Sequence, residues 1–305
     1  MQLGNLKLKN NFLLAPMHGV NCLAFRMLCK HYGAGLVATP MVHARWVVKE
    51  KKLPILVSQE ERPLQIQLIG DDEKIIKNAT KIIEPYADII DLNFGCPSKD
   101  ILALNAGGYF TKNLTKLGKM VNAVVSATNK PVTAKIRAGW DDKNVNALEA
   151  GKVIEDNGAS AVTLHARTVK QGYSGKADWG LIKSLKSSLS IPVVGNGDVW
   201  GWEDALKMVE QTKVDAVMVG RAAMCSPFVF KECLDEKFIP TKEDRVNCIK
   251  LFVEYYEKYE TKHATAELKQ HIMWMVKGLD NATKHRLKLS KMKNYEEVKK
   301  YAYSL

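Results

Sequence analysis

Short apolar runs alternate with longer amphipathic stretches up to about residue 236. The runs are FLLAP (12–16), GLVATP (35–40), LQIQLIG (64–70), DIIDLNF (88–94), PVTAKIR (131–137), SAVTLHAR (160–167), IPVVGNG (191–197) and DAVMVG (215–220). Each has the length of a strand and is bounded by turn-forming residues. Stretches 73–84, 114–127, 145–157 and 202–210 between them carry apolar residues at helical spacing. Eight strand–helix repeats predict a parallel sheet, either closed into a barrel or open and doubly wound.

The parity of polar residues separates the two. Residues two apart on a strand point the same way. In 131–137, Val132, Ala134 and Ile136 share one face, and Thr133, Lys135 and Arg137 share the other; in 160–167, Val162 and Leu164 oppose Thr163, His165 and Arg167. Gln65 pairs with Gln67, and Asp91 with Asn93. An open sheet covered by helices needs both faces apolar, whereas a barrel tolerates polar groups inside its upper layer, where such folds place their chemistry. The pattern predicts a (βα)₈ TIM barrel over 1–236. The strand signal then stops, and RVNCIKLFVEYYEKYE and AELKQHIMWMVKGL predict a smaller all-helical domain over 237–305.

Composition narrows the class without settling it. The 305 residues suit a barrel of about 250 residues with an appendage. An excess of 45 Lys and Arg over 33 Asp and Glu, a net charge of +12, favours a polyanionic partner but also fits mere solubility. The six cysteines contain no C-x-x-C pair, so reduced thiols and no metal site are expected. The first residues lack an uninterrupted apolar signal core, and no stretch is apolar enough to span a bilayer. A cytoplasmic protein with no membrane association is expected.

Three elements carry candidate chemistry. DLNFGCPSKDILALNAGG (91–108) places Cys96 on a Gly/Pro turn directly after a strand, flanked by Asn93 and Lys99. Most cysteines are small buried hydrophobes, yet that gives no reason for a sulfur on a constrained turn at a barrel mouth, so Cys96 is read as catalytic. VVGNGDVW (193–200) and VMVGRAAMCSPFVF (217–230) are the loops after strands seven and eight, where barrels bind phosphate. There Gly195, Gly197 and Gly220 permit close backbone approach, and Arg221 can fork onto phosphate oxygens. Lys135 on an interior face needs either a partner carboxylate or developing negative charge on a ligand.

The stretches APMHGV (15–20), QLIG (67–70), DLNFGCPSKDILALNAGG, KIRAGW (135–140), HARTVKQGYSGKADW (165–179), GNGDV and MVGRAAM occur in order through the barrel. In that arrangement the chain resembles the tRNA dihydrouridine synthases, and KQHIMWMVKGLDNATKHRLKLSK (269–291) is similar to that family's C-terminal helical domain. HARTVKQGYSGKADW is the most discriminating piece. The resemblance implies FMN at the barrel mouth, and reduction of a uridine in tRNA to 5,6-dihydrouridine with NADPH or NADH as electron donor. By position, Pro16, Met17 and His18 would run beside the flavin, Gln67 would hydrogen-bond its ring, and His165 would contact it. Lys135 would lie near N1 and O2. Asn196, Gly197, Asp198, Gly220 and Arg221 would hold the ribityl phosphate. Asn93, Lys99 and Arg167 would lie towards the target base. Hydride would reach C6 of uracil, and Cys96 would supply the proton at C5, which suits a thiol that stays protonated near neutrality. No separate nucleotide-binding domain is visible, so both substrates would use one flavin face in turn.

A flavin barrel of the dihydroorotate dehydrogenase type is the nearest enzyme alternative, but such barrels lack HARTVKQGYSGKADW and the basic tail. A non-catalytic RNA-binding barrel is the other alternative, against which Cys96, Lys135 and Arg221 stand. Lys284, Arg286, Lys288, Lys291 and Lys293 lie between Asn281 and Asn294 with no acidic residue among them. Beside a barrel resembling a tRNA enzyme, they are expected to contact RNA phosphates. A monomer is expected.

Overall fold

The computed structural model describes residues 1–260 and 264–305. Eight parallel strands, β1 (Phe12–Leu14), β2 (Val37–Ala38), β3 (Leu64–Ile69), β4 (Ile89–Phe94), β5 (Val132–Arg137), β6 (Ala161–His165), β7 (Val193–Asn196) and β8 (Ala216–Val219), follow one another around a barrel. β8 pairs with β1, and a parallel bridge from Leu13 to Leu36 joins β1 to the start of β2, closing the ring. The eight predicted runs are these eight strands. GLVATP yields only two strand residues, and the chain re-enters the sheet at Val42–His43 beside β3. Pro40 interrupts it, because proline has no N–H for the ladder.

The closed barrel, not the open sheet, is the architecture, and side-chain parity shows why. Outward residues such as Ile66, Leu92, Ala134, Val162 and Val217 join the core beneath the surrounding helices. Inward residues are graded from bottom to top. Leu13, Leu36, Ile89, Ala161, Val194 and Ala216 form an apolar floor, which an N-terminal hairpin plugs with Leu3 and Leu8. Two residues above Ile89 and Ala161 stand Asp91 and Thr163, with Thr133 on the strand between them, and two higher again Asn93, Lys135 and His165, with Asn196 beside His165 on β7. The polar layer therefore lies at the carboxyl ends of the strands.

The helices between strands are α1 (Leu23–His31), α2 (Ala44–Glu50), α3 (Glu73–Ile83), α4 (Leu114–Val125), α5 (Ala147–Asp156), α6 (Trp179–Ser188) and α7 (Trp202–Thr212). Side chains of Asp72, Asn113 and Asp178 cap α3, α4 and α6 by accepting from early N–H groups. After β8 come α8 (Arg221–Cys225) and α9 (Val229–Leu234). Four more helices follow: α10 (Lys242–Tyr259), α11 (Thr265–Met275), α12 (Ala282–Lys291) and α13 (Tyr295–Tyr303). They dock beside the mouth. Glu260, just past α10, accepts from the Ala24 N–H at the start of α1 at 3.0 Å, and His271 of α11 meets the Val20 carbonyl at 2.8 Å. Among the described residues no helix is long and apolar enough to cross a membrane.

Candidate active site at the barrel mouth

Two contiguous cavities open at the carboxyl ends of the strands, sharing Pro16, Met17, Lys135, His165, Tyr173 and Arg221. One reaches the β7 and β8 loops through Asn196, Gly197, Asp198, Trp200 and Gly220. The other, of 340 Å³, reaches Cys96 past His18, Met41, Gln67, Asn93 and Arg137. Residues scattered over more than two hundred positions of sequence thus line one continuous space.

The first cavity is a cradle of backbone and cation. Gly197, at φ +117°, has no room for a side chain, because a Cβ there would lie 2.8 Å from Ala177, whereas one on Gly220 would make only ordinary contacts with Ala15 and Met17. Arg221 sits between Tyr173 and Trp200, its guanidinium carbon 5.0 and 4.8 Å from their ring centres. Lys135 gives one hydrogen bond to Asn196 Oδ1 at 2.9 Å and has two donor positions left for a ligand. Burial, with Arg137 nearby, pushes its ammonium down to about 7. A ligand carrying negative charge against Nζ restores the cation. Burial and the surrounding cations Lys135, Arg137, Arg167 and Arg221 hold His165 far below its ordinary value, so its imidazole is neutral. A glycine-bearing loop, a sandwiched arginine and a half-neutral lysine with spare donors fit an anionic, phosphate-bearing cofactor such as FMN.

The second cavity holds the thiol. Cys96 donates its backbone N–H to Asn93 Oδ1 at 2.9 Å, and its carbonyl accepts from Gly108 at 3.0 Å. A Cβ on Gly107 would lie 3.0 Å from Cys96 Cβ and 2.8 Å from Ile101, in a left-handed backbone with φ +61°. That close approach explains why the motif ends in paired glycines. Burial raises the thiol, and only a backbone N–H at Ser98 and the Arg137 cation oppose it. Cys96 therefore keeps its proton at neutral pH, as a proton donor must and an activated nucleophile does not.

Arg167 lies apart from the walls of both cavities. It was expected to face the target base, but it is 2% exposed and lines neither cavity. Its guanidinium grips Asp198 at 2.7 and 2.8 Å and donates to the Ser174 and Gly175 carbonyls. Asp198 also accepts from the Ala177 N–H at 2.7 Å, and Trp179 Nε1 donates to the Gly197 carbonyl at 3.0 Å. HARTVKQGYSGKADW is thus a brace that pins the β7 loop, and the Asp198 carboxylate is spent on Arg167 and, at 3.8 Å, on Arg221. Only the backbone of Asp198 is left for a phosphate. Lys99 is exposed at the start of a short helical segment, Lys99–Ala103, and is also outside the cavity walls.

Other wall residues escaped the sequence reading. Arg137 donates to the Gly95, Thr168 and Gly172 carbonyls at 2.8, 3.1 and 2.6 Å, tying the Cys96 turn to the brace. Its strand parity with Lys135 was the available signal. Tyr173 lay within a quoted motif, yet only the fold shows its ring, 61% exposed, over the mouth. Trp200 and Met224 likewise lay within quoted motifs, VVGNGDVW and VMVGRAAMCSPFVF, and Met41 lay outside every one. On α12, Lys284, Arg286, Lys288 and Lys291 are exposed, as is Lys293 just beyond it, and none forms an ion pair among the described residues. They are not one patch. At 3.6 residues per turn Lys284, Lys288 and Lys291 form a stripe, and Arg286 points to the opposite side.

Comparisons with known proteins agree with this geometry. The family model described as dihydrouridine synthase matches residues 13–303. A probable tRNA-dihydrouridine synthase of Rickettsia conorii is 35% identical over 94% of this chain and 90% of its own length. tRNA-dihydrouridine synthase B of Pasteurella multocida is 34% identical over 92% and 87%. Among solved structures, an old yellow enzyme homologue from Zymomonas mobilis superposes with a TM-score of 0.56 at 11% identity, covering 86% of this chain and 98% of its own. Histamine dehydrogenase from Rhizobium gives 0.61 at 15%, over 84% and 50%. These two show the fold alone. The dihydroorotate dehydrogenase and non-catalytic alternatives are not favoured. The chain belongs to the dihydrouridine synthase family and is an oxidoreductase.

Proposed function

We propose that the protein reduces a uridine in tRNA to 5,6-dihydrouridine, with FMN bound across the two cavities and NADPH or NADH as electron donor. The observation that carries the reading is a protonated thiol, Cys96, at one end of a space whose other end is an anion cradle around Arg221. FMN supplies the hydride that saturates the uracil 5,6 double bond.

The chain's own residues do the rest. Gly197, Gly220 and Arg221 hold the cofactor phosphate, and Lys135 donates to the electron-rich edge of its ring system. Pro16, Met17 and His18 flank the ring, Gln67 hydrogen-bonds to it, and the neutral His165 contacts it without adding charge. Cys96 gives its proton to C5. The Arg137 cation near the sulfur then offsets the thiolate until solvent returns the proton. Asn93 and Arg137 line the uracil end, and Tyr173 offers its face at the mouth. The helical segment 237–305 holds the RNA, chiefly through Lys284, Lys288 and Lys291, with Arg286 and Lys293 outside that stripe. The uracil must leave its stack, at a cost of a few kcal/mol, and phosphate contacts supply the offsetting free energy. The enzyme works as a cytoplasmic monomer.

The test uses purified protein with FMN, NADPH and unmodified tRNA. Flavin absorbance and dihydrouridine in the RNA are expected, with no turnover of orotate-type substrates. Stoichiometric FAD in place of FMN, or turnover of dihydroorotate alone, sinks the reading.

A further inference from the structure

Asp91 lies on β4 inside the barrel, fully buried and outside both cavities. Its Oδ1 accepts from Thr133 Oγ1 at 2.6 Å and its Oδ2 from Gln67 Nε2 at 2.6 Å. Gln67 Oε1 accepts from Asn93 Nδ2 at 2.8 Å. Asn93 Oδ1 in turn accepts from the N–H groups of Gly95 and Cys96 at 3.1 and 2.9 Å. One unbroken line of hydrogen bonds therefore runs from Asp91 to the backbone of the reacting cysteine.

Every orientation in that line is forced by its neighbour. Backbone N–H groups can only donate, so Asn93 must turn its oxygen to the Cys96 turn and its nitrogen to Gln67. Gln67 must then offer its oxygen to Asn93 and its nitrogen to position 91. The line needs an acceptor there, and Asp91 is that acceptor. A wrong amide rotamer at either step would leave buried polar groups facing like groups, which costs more than a missing bond at the surface.

We propose that Asp91 is a positioning residue for Cys96, acting through Gln67 and Asn93 to fix both amides and hold the Cys96 turn in place for proton delivery. The proposal rests on Cys96 being the proton donor. It also assigns Gln67 its polarity towards the cavity, since the free hydrogen of Nε2 is the donor left for a ligand. Burial pushes the Asp91 carboxyl up to about 6, opposed by its bonds to Thr133 and Gln67 and by the Lys135 cation. A proton arriving there goes to Oδ1, because the Thr133 hydroxyl can reverse and accept it, so the line survives protonation.

The line can be inverted, and that is the test. Asn93→Asp keeps the acceptor for the Cys96 turn but puts a second acceptor against Gln67 Oε1. Gln67 then turns its nitrogen to position 93 and its oxygen to position 91, which now requires a donor. Asp91→Asn supplies one. In the flavin-loaded protein, alkylation of Cys96 by iodoacetamide is followed by mass spectrometry of its peptide, alongside thermal melting. Asp91→Asn is expected to leave the alkylation rate within about twofold in the otherwise unchanged chain and to alter it by about fivefold or more in the Asn93→Asp background. The same substitution should raise the melting temperature only in that background. Equal effects in both backgrounds overturn the line of forced orientations.

If Asn93→Asp does not fold, Asp91→Ala and Asp91→Asn answer the same question. Alanine offers no acceptor, so it must change Cys96 alkylation and single-turnover reduction of tRNA by the pre-reduced enzyme by about fivefold relative to asparagine. Equal rates for alanine and asparagine overturn the proposal. An alkylation effect without any effect on tRNA reduction leaves the line standing and removes the role given to Cys96.

Discussion

The barrel mouth and the α12 surface both concentrate positive charge, but they handle it in opposite ways. At the mouth the cations are tied in place: Arg167 by Asp198, Arg137 by three carbonyls, and Lys135, with two donor positions still spare, by Asn196. On α12 the stripe of Lys284, Lys288 and Lys291 stands in solvent with no ion pair among the described residues. The difference follows from dielectric. A buried charge without partners is too costly to keep, so those at the mouth are held in one geometry and act as positioning devices. An exposed lysine costs nothing to leave free, acts through a screened field, and keeps the mobility to follow a polyanion. Chemistry should therefore depend on the mouth with little sensitivity to salt, and RNA affinity on the helix with a steep one.

Cys96→Ala should break the comparison hardest. Loss of a general acid costs about 10²–10⁴-fold, and it should appear only in uridine reduction, measured in single-turnover reactions at low and high salt. Equal loss of flavin reduction by NADPH would make the thiol structural. Arg221→Ala comes next, with FMN affinity reduced about 10–100-fold by loss of a charge-assisted contact, read by titrating stripped protein with FMN.

Lys135 sharpens the comparison through pH. Because burial pushes its ammonium down to about 7, the empty site holds the cation below that pH and loses it above. Binding an anionic cofactor above pH 7 must take up a proton, so FMN affinity should fall as pH rises, by at most about tenfold per unit. Lys135→Met should flatten that dependence in the same titration and lower the flavin's reduction potential. An unchanged slope would return Lys135 to a purely structural place. The smallest effect on chemistry is expected on α12. Changing Lys284, Lys288 and Lys291 together to Gln should reduce the slope of log affinity against log salt by about 2–3, with FMN content and NADPH oxidation normal. A slope change as large from Arg286→Gln alone would contradict the stripe.

Much of this was legible before any coordinates. Eight runs with polar residues on one parity could close only as a barrel with a polar upper layer, because β-strand side chains alternate regardless of what surrounds them. The Gly-Cys-Pro turn marked Cys96, and consecutive glycine-bearing strand ends marked the cradle. Periodicity assigns a side chain to a face, however, and not to a partner. Arg137 and Arg167 share a sequence pattern of strand-end arginines, yet the structure brings Arg137 to the cavity wall and turns Arg167 onto Asp198, 31 positions away. That choice depends on how the loop 168–178 folds across the mouth, and no local preference encodes it. The even spread of basic residues between 284 and 293 likewise became a stripe of three only once a helix set their angles. What the sequence determined by itself is the repeating pattern of faces, which follows from backbone geometry alone. Which charged groups meet across the barrel, the line from Asp91 to Cys96 included, was decided by the tertiary structure, because those pairings join strands and loops whose approach is set only when the ring closes.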